Sequence, residues 1–197
     1  MQCTDKTKVI EYIEKNMTER RKIHIYAVVE EAKKLAQRYG ADMERAEFAA
    51  LFHDFFRGMP EKTSNGYVKE LGLDHRYLYN PNLAHGKIAA VIMERDYHIQ
   101  DLDMINAVSY HTTGRAGMSK LEKIIYLADT IEPNRDYPGV EKIRTAAYQD
   151  LDRACLLALE RSIDFIKSSG SCLDQDTVMA RDSLKKEISK KQKGEEE

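Results

Sequence analysis

Six side chains in this sequence could together hold a metal ion: His24, His53, Asp54, His85, His111 and Asp129. Each falls where a helical segment would face the interior. His24 lies four residues before Val28 on an apolar stripe, and His85 shares a stripe with Ala89 and Ile92. His111 aligns with Met104 and Val108, Asp129 follows Ile125 by one turn, and His53-Asp54 closes the inward face of a third segment. Taken singly, each histidine reads most simply as a core residue with one hydrogen bond, and Asp129 as a cap. Jointly they say more, because a buried aspartate is costly unless it is paired or bound to a cation. His53 and Asp54 diverge by about 100° around a helix, yet a long imidazole and a short carboxylate can still converge near a helix end. Imidazole with carboxylate suits iron, manganese or zinc. A carboxylate can also bridge two ions. The chemistry expected is hydrolysis, since a bound cation lowers the pKa of water to about 7.

Other candidates are weaker. Ser109 and Ser119 have no base or oxyanion partner in the pattern, and Cys155 sits in a plain helical stripe, which argues against a nucleophilic mechanism. His75 and His98 read as surface or loop residues.

The elements that must position these groups are helices, for no segment sustains strand alternation. The periodicity predicts helices over about 4–17, from Thr18 or Glu19 to Tyr39 with Gly40 as its stop, and from an Asp42 cap to His53-Asp54. Residues 60–81 read as irregular, punctuated by Ser64-Asn65-Gly66 and Asn80-Pro81-Asn82. A fourth helix carries His85, a fifth starts near Asp101 or Asp103 and ends at His111, and a sixth runs from a Ser119–Glu122 capping box to Glu132. One bent helix or two cover about 138–167, and a last begins at Asp174. The expectation is an all-α bundle of about eight helices. Residues 1–185 form one domain, and 186–197 a charged, frayed tail.

Composition narrows the function. The 197 residues carry 31 Lys and Arg against 33 Asp and Glu, a net charge of -2 that gives no basic field for nucleic acid. A small phosphorylated ligand needs only a few local cations. No apolar run is long enough to span a membrane. The opening Met1-Gln2-Cys3-Thr4-Asp5-Lys6 lacks the apolar stretch of a signal peptide. The three cysteines are far apart without a CxxC, which points to a reducing, cytoplasmic setting. Self-association into a homodimer is left open.

The order His24, His53-Asp54, Asp129 resembles that of the HD-domain metal phosphohydrolases. The strings Ala84-His85-Gly86, Tyr110-His111-Thr112-Thr113-Gly114 and Leu127-Ala128-Asp129-Thr130-Ile131-Glu132-Pro133-Asn134-Arg135 resemble, more narrowly, the bacterial YqeK-like family of symmetrical bis(5'-nucleosyl)-tetraphosphatases. That resemblance implies an HD-domain helical bundle that cleaves diadenosine tetraphosphate (Ap4A) to two ADP. It implies His24, His53, Asp54 and Asp129 as ligands of one or two ions, iron first, then manganese or zinc. His53, Asp54, His85 and His111 then form the catalytic set. Arg21, Arg57, Thr112, Arg135, Thr177 and Arg181 join Asp54, His85, His111 and Asp129 in contacting the substrate, with residues 177–182 closing over one nucleotide half while the other projects outward. Two positions depart from the family: Arg57 stands where Lys is usual, and Asp182 where Asn is usual. A related nucleotidase, a guanosine polyphosphate hydrolase, and a metal-bound nucleotide sensor without turnover are the alternatives. Product analysis and metal analysis separate them.

Overall fold

The computed structural model describes residues 3–194. Among them there are ten α-helices, one short 3-10 turn and no strand. Two more helices form than the expected eight. The stretch over 138–167 divides into α8 (Val140–Ala147) and α9 (Leu151–Ser168), because Asp150 caps a new start by accepting from the amides of Asp152 and Arg153. The second addition is α4 (Glu61–Glu70), which runs straight through Ser64-Asn65-Gly66. Tertiary packing overrides the turn propensity there. Ser64 and Val68 are buried, and Val68 joins Tyr77, Ala84, Ile88 and Ile92 in a small satellite core.

The main core is built around α7 (Lys120–Ile131), which buries residues on every side and packs against α2 (Glu19–Tyr39), α3 (Met43–Phe52), α6 (Leu102–Tyr110), α8 and α9. Its start is the expected capping box, with Ser119 and Glu122 satisfying one another's backbone amides. Gly40 ends α2 at φ 61°, donating back to the carbonyls of Ala36 and Gln37. Helix α5 (Pro81–Arg95) lies against α6, and α1 (Cys3–Asn16) against α3.

The charged run after residue 185, expected to fray, stays helical to Gly194 as part of α10 (Gln175–Gly194). Ion pairs hold it down: Lys191 Nζ lies 2.5 Å from Asp152 Oδ2, and Lys123 Nζ bridges Asp152 and Glu187. Residues 195–197 of the tail lie outside the described chain.

Candidate metal centre

Helices α2, α3, α5, α6 and α7 each send one end or one face to a common point. The C-terminal ends of α3 and α6 supply His53 and His111 as caps, Asp54 follows His53, and His24, His85 and Asp129 come from within α2, α5 and α7. Two groups form. Ligand-capable atoms of His24, His53 and Asp129 lie within 4.8 Å of one another, as do those of Asp54, His85 and His111. Asp54 stands between them. Its Oδ2 lies 3.5 Å from His24 Nε2 and 3.6 Å from His53 Nε2, while its Oδ1 lies 3.1 Å from His85 Nε2 and 3.8 Å from His111 Nε2. His24 Nε2 is also 3.1 Å from Asp129 Oδ1, and His53 Nε2 is 3.9 Å from it.

The outer nitrogens explain why the inner ones are free. His24 Nδ1 faces Glu132 Oε1 at 3.2 Å, His53 Nδ1 faces the carbonyl of Ala50 at 2.6 Å, and His111 Nδ1 faces that of Val108 at 2.7 Å. Each partner is an acceptor, so one proton stays outward on Nδ1 and Nε2 is the atom turned to the centre. Nε2 of His24 and of His53 are buried and accept no hydrogen bond, although they lie beside carboxylates. Buried ring nitrogens without hydrogen-bond partners, turned to anionic oxygens, fit a cation's place.

His85 differs. Its Nδ1 lies 3.4 Å from Arg57 Nη1, which can only donate. The proton is thereby placed on Nε2, toward Asp54 and toward His111 Nε2 at 2.9 Å. A second ion in this group would require His85 to give up that proton.

Electrostatics follow the geometry. Burial opposes charge on His24, but Asp129 and Asp54 outweigh it and raise its pKa to about 9. His111 is pushed down to about 3 by burial and by neighbouring imidazoles, and burial also lowers His53, so both are neutral. Burial opposes ionisation of Asp54 and Asp129 too, yet the histidines and Arg135 hold both well below the usual carboxylate range. Arg21 pairs with Asp54 Oδ2, and Arg135 with Asp129 Oδ1.

A family model described as HD domain matches residues 21–134. The chain belongs to the HD-domain family. Within that family it is similar to the symmetrical bis(5'-nucleosyl)-tetraphosphatase of Bacillus subtilis, at 38% identity over 85% of this chain and 90% of that one. The enzyme of the same name from Halalkalibacterium halodurans is also 38% identical, over 90% of this chain and 95% of its own. These relatives place the chain in the YqeK-like branch of HD-domain proteins. A crystal structure from Clostridium acetobutylicum, described as a predicted HD superfamily hydrolase involved in NAD metabolism, superposes with a TM-score of 0.88 at 36% identity, covering 95% of this chain and 99% of that one.

HD-domain geometry thus gathers His24, His53, Asp54, His85, His111 and Asp129, with Arg21, Arg57 and Arg135 around them. Thr112 is exposed at the rim, its Oγ1 3.1 Å from His111 Nε2. Thr177 is buried in the first turn of α10, and α10 packs on the turn after His111, since a Cβ at Gly114 would meet Ala180 Cβ at 3.1 Å. Arg181 is not brought in: its Nε donates to Asp182 Oδ1 at 2.7 Å on the surface. His75 and His98 are exposed, as expected.

Three contributors were not legible in the sequence. Glu132, expected only as a helix end, orients His24. Arg144 of α8 donates to the carbonyls of Ile131, Glu132 and Arg135 at 2.8–2.9 Å and so fixes the segment that carries Glu132 and Arg135. Gly86 permits His111 to approach, because a Cβ there would stand 3.0 Å from both His111 Cε1 and the Val108 carbonyl. Gly86 and Glu132 stand in the strings that carry the family resemblance, without a role assigned there, and Arg144 has no signal in the sequence.

Proposed function

We propose that this chain hydrolyses Ap4A symmetrically to two ADP at a divalent metal centre held by His24, His53, Asp54 and Asp129. The observation that carries this reading is the position of Asp54, one oxygen toward each histidine pair, ringed by guanidinium groups suited to a phosphate chain. The tetraphosphatase activity named for the Bacillus and Halalkalibacterium relatives supports the substrate. Iron is proposed before manganese or zinc, with one or two ions. The unit that acts is residues 1–185, and the setting is a reducing cytoplasm. Cys155 and Cys172 are free thiols, and among the described residues no helix is long and apolar enough to cross a membrane.

A bound cation would supply an activated water and polarise a phosphoryl oxygen. The protein does the rest. Glu132, the Ala50 carbonyl and the Val108 carbonyl hold Nδ1 of three imidazoles and so turn each Nε2 to the centre. Arg21 and Arg135 neutralise Asp54 and Asp129, and a polyphosphate offers both guanidiniums a second set of oxygens. His85, with Arg57 behind it and its N–H facing inward, is placed to hydrogen-bond the departing phosphate oxygen and steady its charge. Thr112, and Thr177 with Arg181 at the start of α10, would line the inner nucleotide half, which requires Arg181 to leave Asp182.

Hydrolysis by the iron- or manganese-loaded protein in water enriched in heavy oxygen tests this. ADP should be the only nucleotide product and should carry the label. Formation of ATP with AMP would show that the chain binds off-centre. Arg57→Lys should keep most activity, and Arg57→Gln should lose about tenfold or more if the guanidinium both holds phosphate and orients His85.

A further inference from the structure

A cavity of about 570 Å³ opens beside His24, on the outer side of the centre. It is lined by Arg20, Arg21, Ile23 and His24 from the start of α2, and by Asn134 and Arg135 from the segment after α7. None of the metal-centre chemistry needs Arg20, Ile23 or Asn134. Yet the cavity is continuous with the centre: His24 is 8% exposed and its unpartnered Nε2 belongs to the metal group. Arg21 and Arg135 reach from the same wall onto Asp54 and Asp129.

The wall has a consistent character. Arg20 is exposed and makes no ion pair among the described residues, so its charge is uncommitted. Ile23 is 58% exposed, an isolated apolar side chain among cations. Asn134 donates its amide to Glu132 Oε2, leaving its amide oxygen free to accept. Glu132, the carboxylate of the lining, is already occupied by His24, the Asn134 backbone amide and the Asn134 side chain. A purely ionic phosphate site would not need an exposed isoleucine. A nucleobase would use one, stacked against Ile23 and the planar Arg20 guanidinium, with an exocyclic amine on Asn134. The volume suits a nucleotide-sized group.

We propose that this cavity binds the second nucleoside diphosphate half of the substrate, the half otherwise expected to project into solvent. Arg21 and Arg135 receive the phosphates nearest the metal centre, and the Arg20 guanidinium, Ile23 and Asn134 hold the base. This rests on the dinucleotide reading of the site and adds to it a reason for preferring two nucleosides to one.

The test compares Ap4A with adenosine 5'-tetraphosphate, which has the same phosphate chain and one nucleoside. The metal-loaded wild type should show a KM for Ap4A about tenfold below that for the mononucleoside compound. Arg20→Ala and Ile23→Ser should each raise the Ap4A value toward the other, leaving kcat, metal content and the mononucleoside KM unchanged. Equal KM values in the wild type, or variants that shift both substrates alike, would overturn the proposal. Calorimetry with analogues carrying a central methylene bridge reads the cavity without turnover. Tighter binding of the dinucleoside analogue, lost in Arg20→Ala, supports it, and equal binding overturns it. Absence of hydrolysis in the wild type would instead sink the enzymatic reading while leaving this binding comparison decisive.

Discussion

At the scale of single residues, the centre depends on which nitrogen carries a proton. Within the proposed metal centre, His24 is the imidazole whose pKa is raised, to about 9, while burial keeps His53 and His111 neutral. A metal ion bound there would therefore displace a proton from His24. Affinity should rise about tenfold per pH unit from pH 6 to 8 and level near pH 9. Calorimetry in buffers of different ionisation heat would count that proton, and a pH-independent affinity would refute it. In the metal-free protein the same shift acts the other way. A folded-state pKa above the ordinary 6.5 adds stability below that value, and the gain is lost as pH rises through about 9. Gly86 offers a second prediction. In mid-helix, Gly→Ala ordinarily stabilises by about 0.5–1 kcal/mol. Here the new methyl would press on His111, which Val108 holds and which cannot yield. Gly86→Ala should fail to raise Tm and should lower kcat about tenfold or more, as thermal melts and steady-state rates would register.

At the scale of elements, the site is carried by helix ends, and ends need partners. Arg144 closes three carbonyls after α7. Arg144→Met should cost about 1–3 kcal/mol by denaturant titration. It should also weaken metal binding and raise KM, since Glu132 and Arg135 share that segment; an unchanged KM would show the segment holds itself. The sequence made the boundaries with local causes readable: Gly40 after α2, the Ser119–Glu122 box before α7, and the Asp42 cap of α3. It misled at α4, where Asn65 Oδ1 accepts the Tyr79 amide and the satellite core holds a helix across a turn-like triplet. The convergence of the six His and Asp side chains was legible because their types are costly to bury. Arg144 and Glu132 were not, because their importance lies in carbonyls and a ring that other helices bring to them.

At the scale of the molecule, the core is complete without the ion. Its apolar residues form one contiguous cluster that includes α1 to α3, α5 to α10 and the loops between them. Chelation should leave the helical circular dichroism intact and lower Tm by about 5–10 °C. The ion would contribute about 2.7 kcal/mol when present at a hundredfold excess over its Kd. Full unfolding on chelation would mean that the core leans on the metal far more than its packing indicates.

His24 and the carboxylate that orients it are 108 positions apart in the chain. Contacts so remote form late, after the entropy of closing the intervening loop has been overcome by packing. Until α7 has emerged and docked on α2, the group of His24 and His53 lacks Asp129, and His24 lacks the carboxylate that orients it. A site that keeps both groups therefore requires α7 docked on α2, unlike one whose ligands are neighbours in sequence.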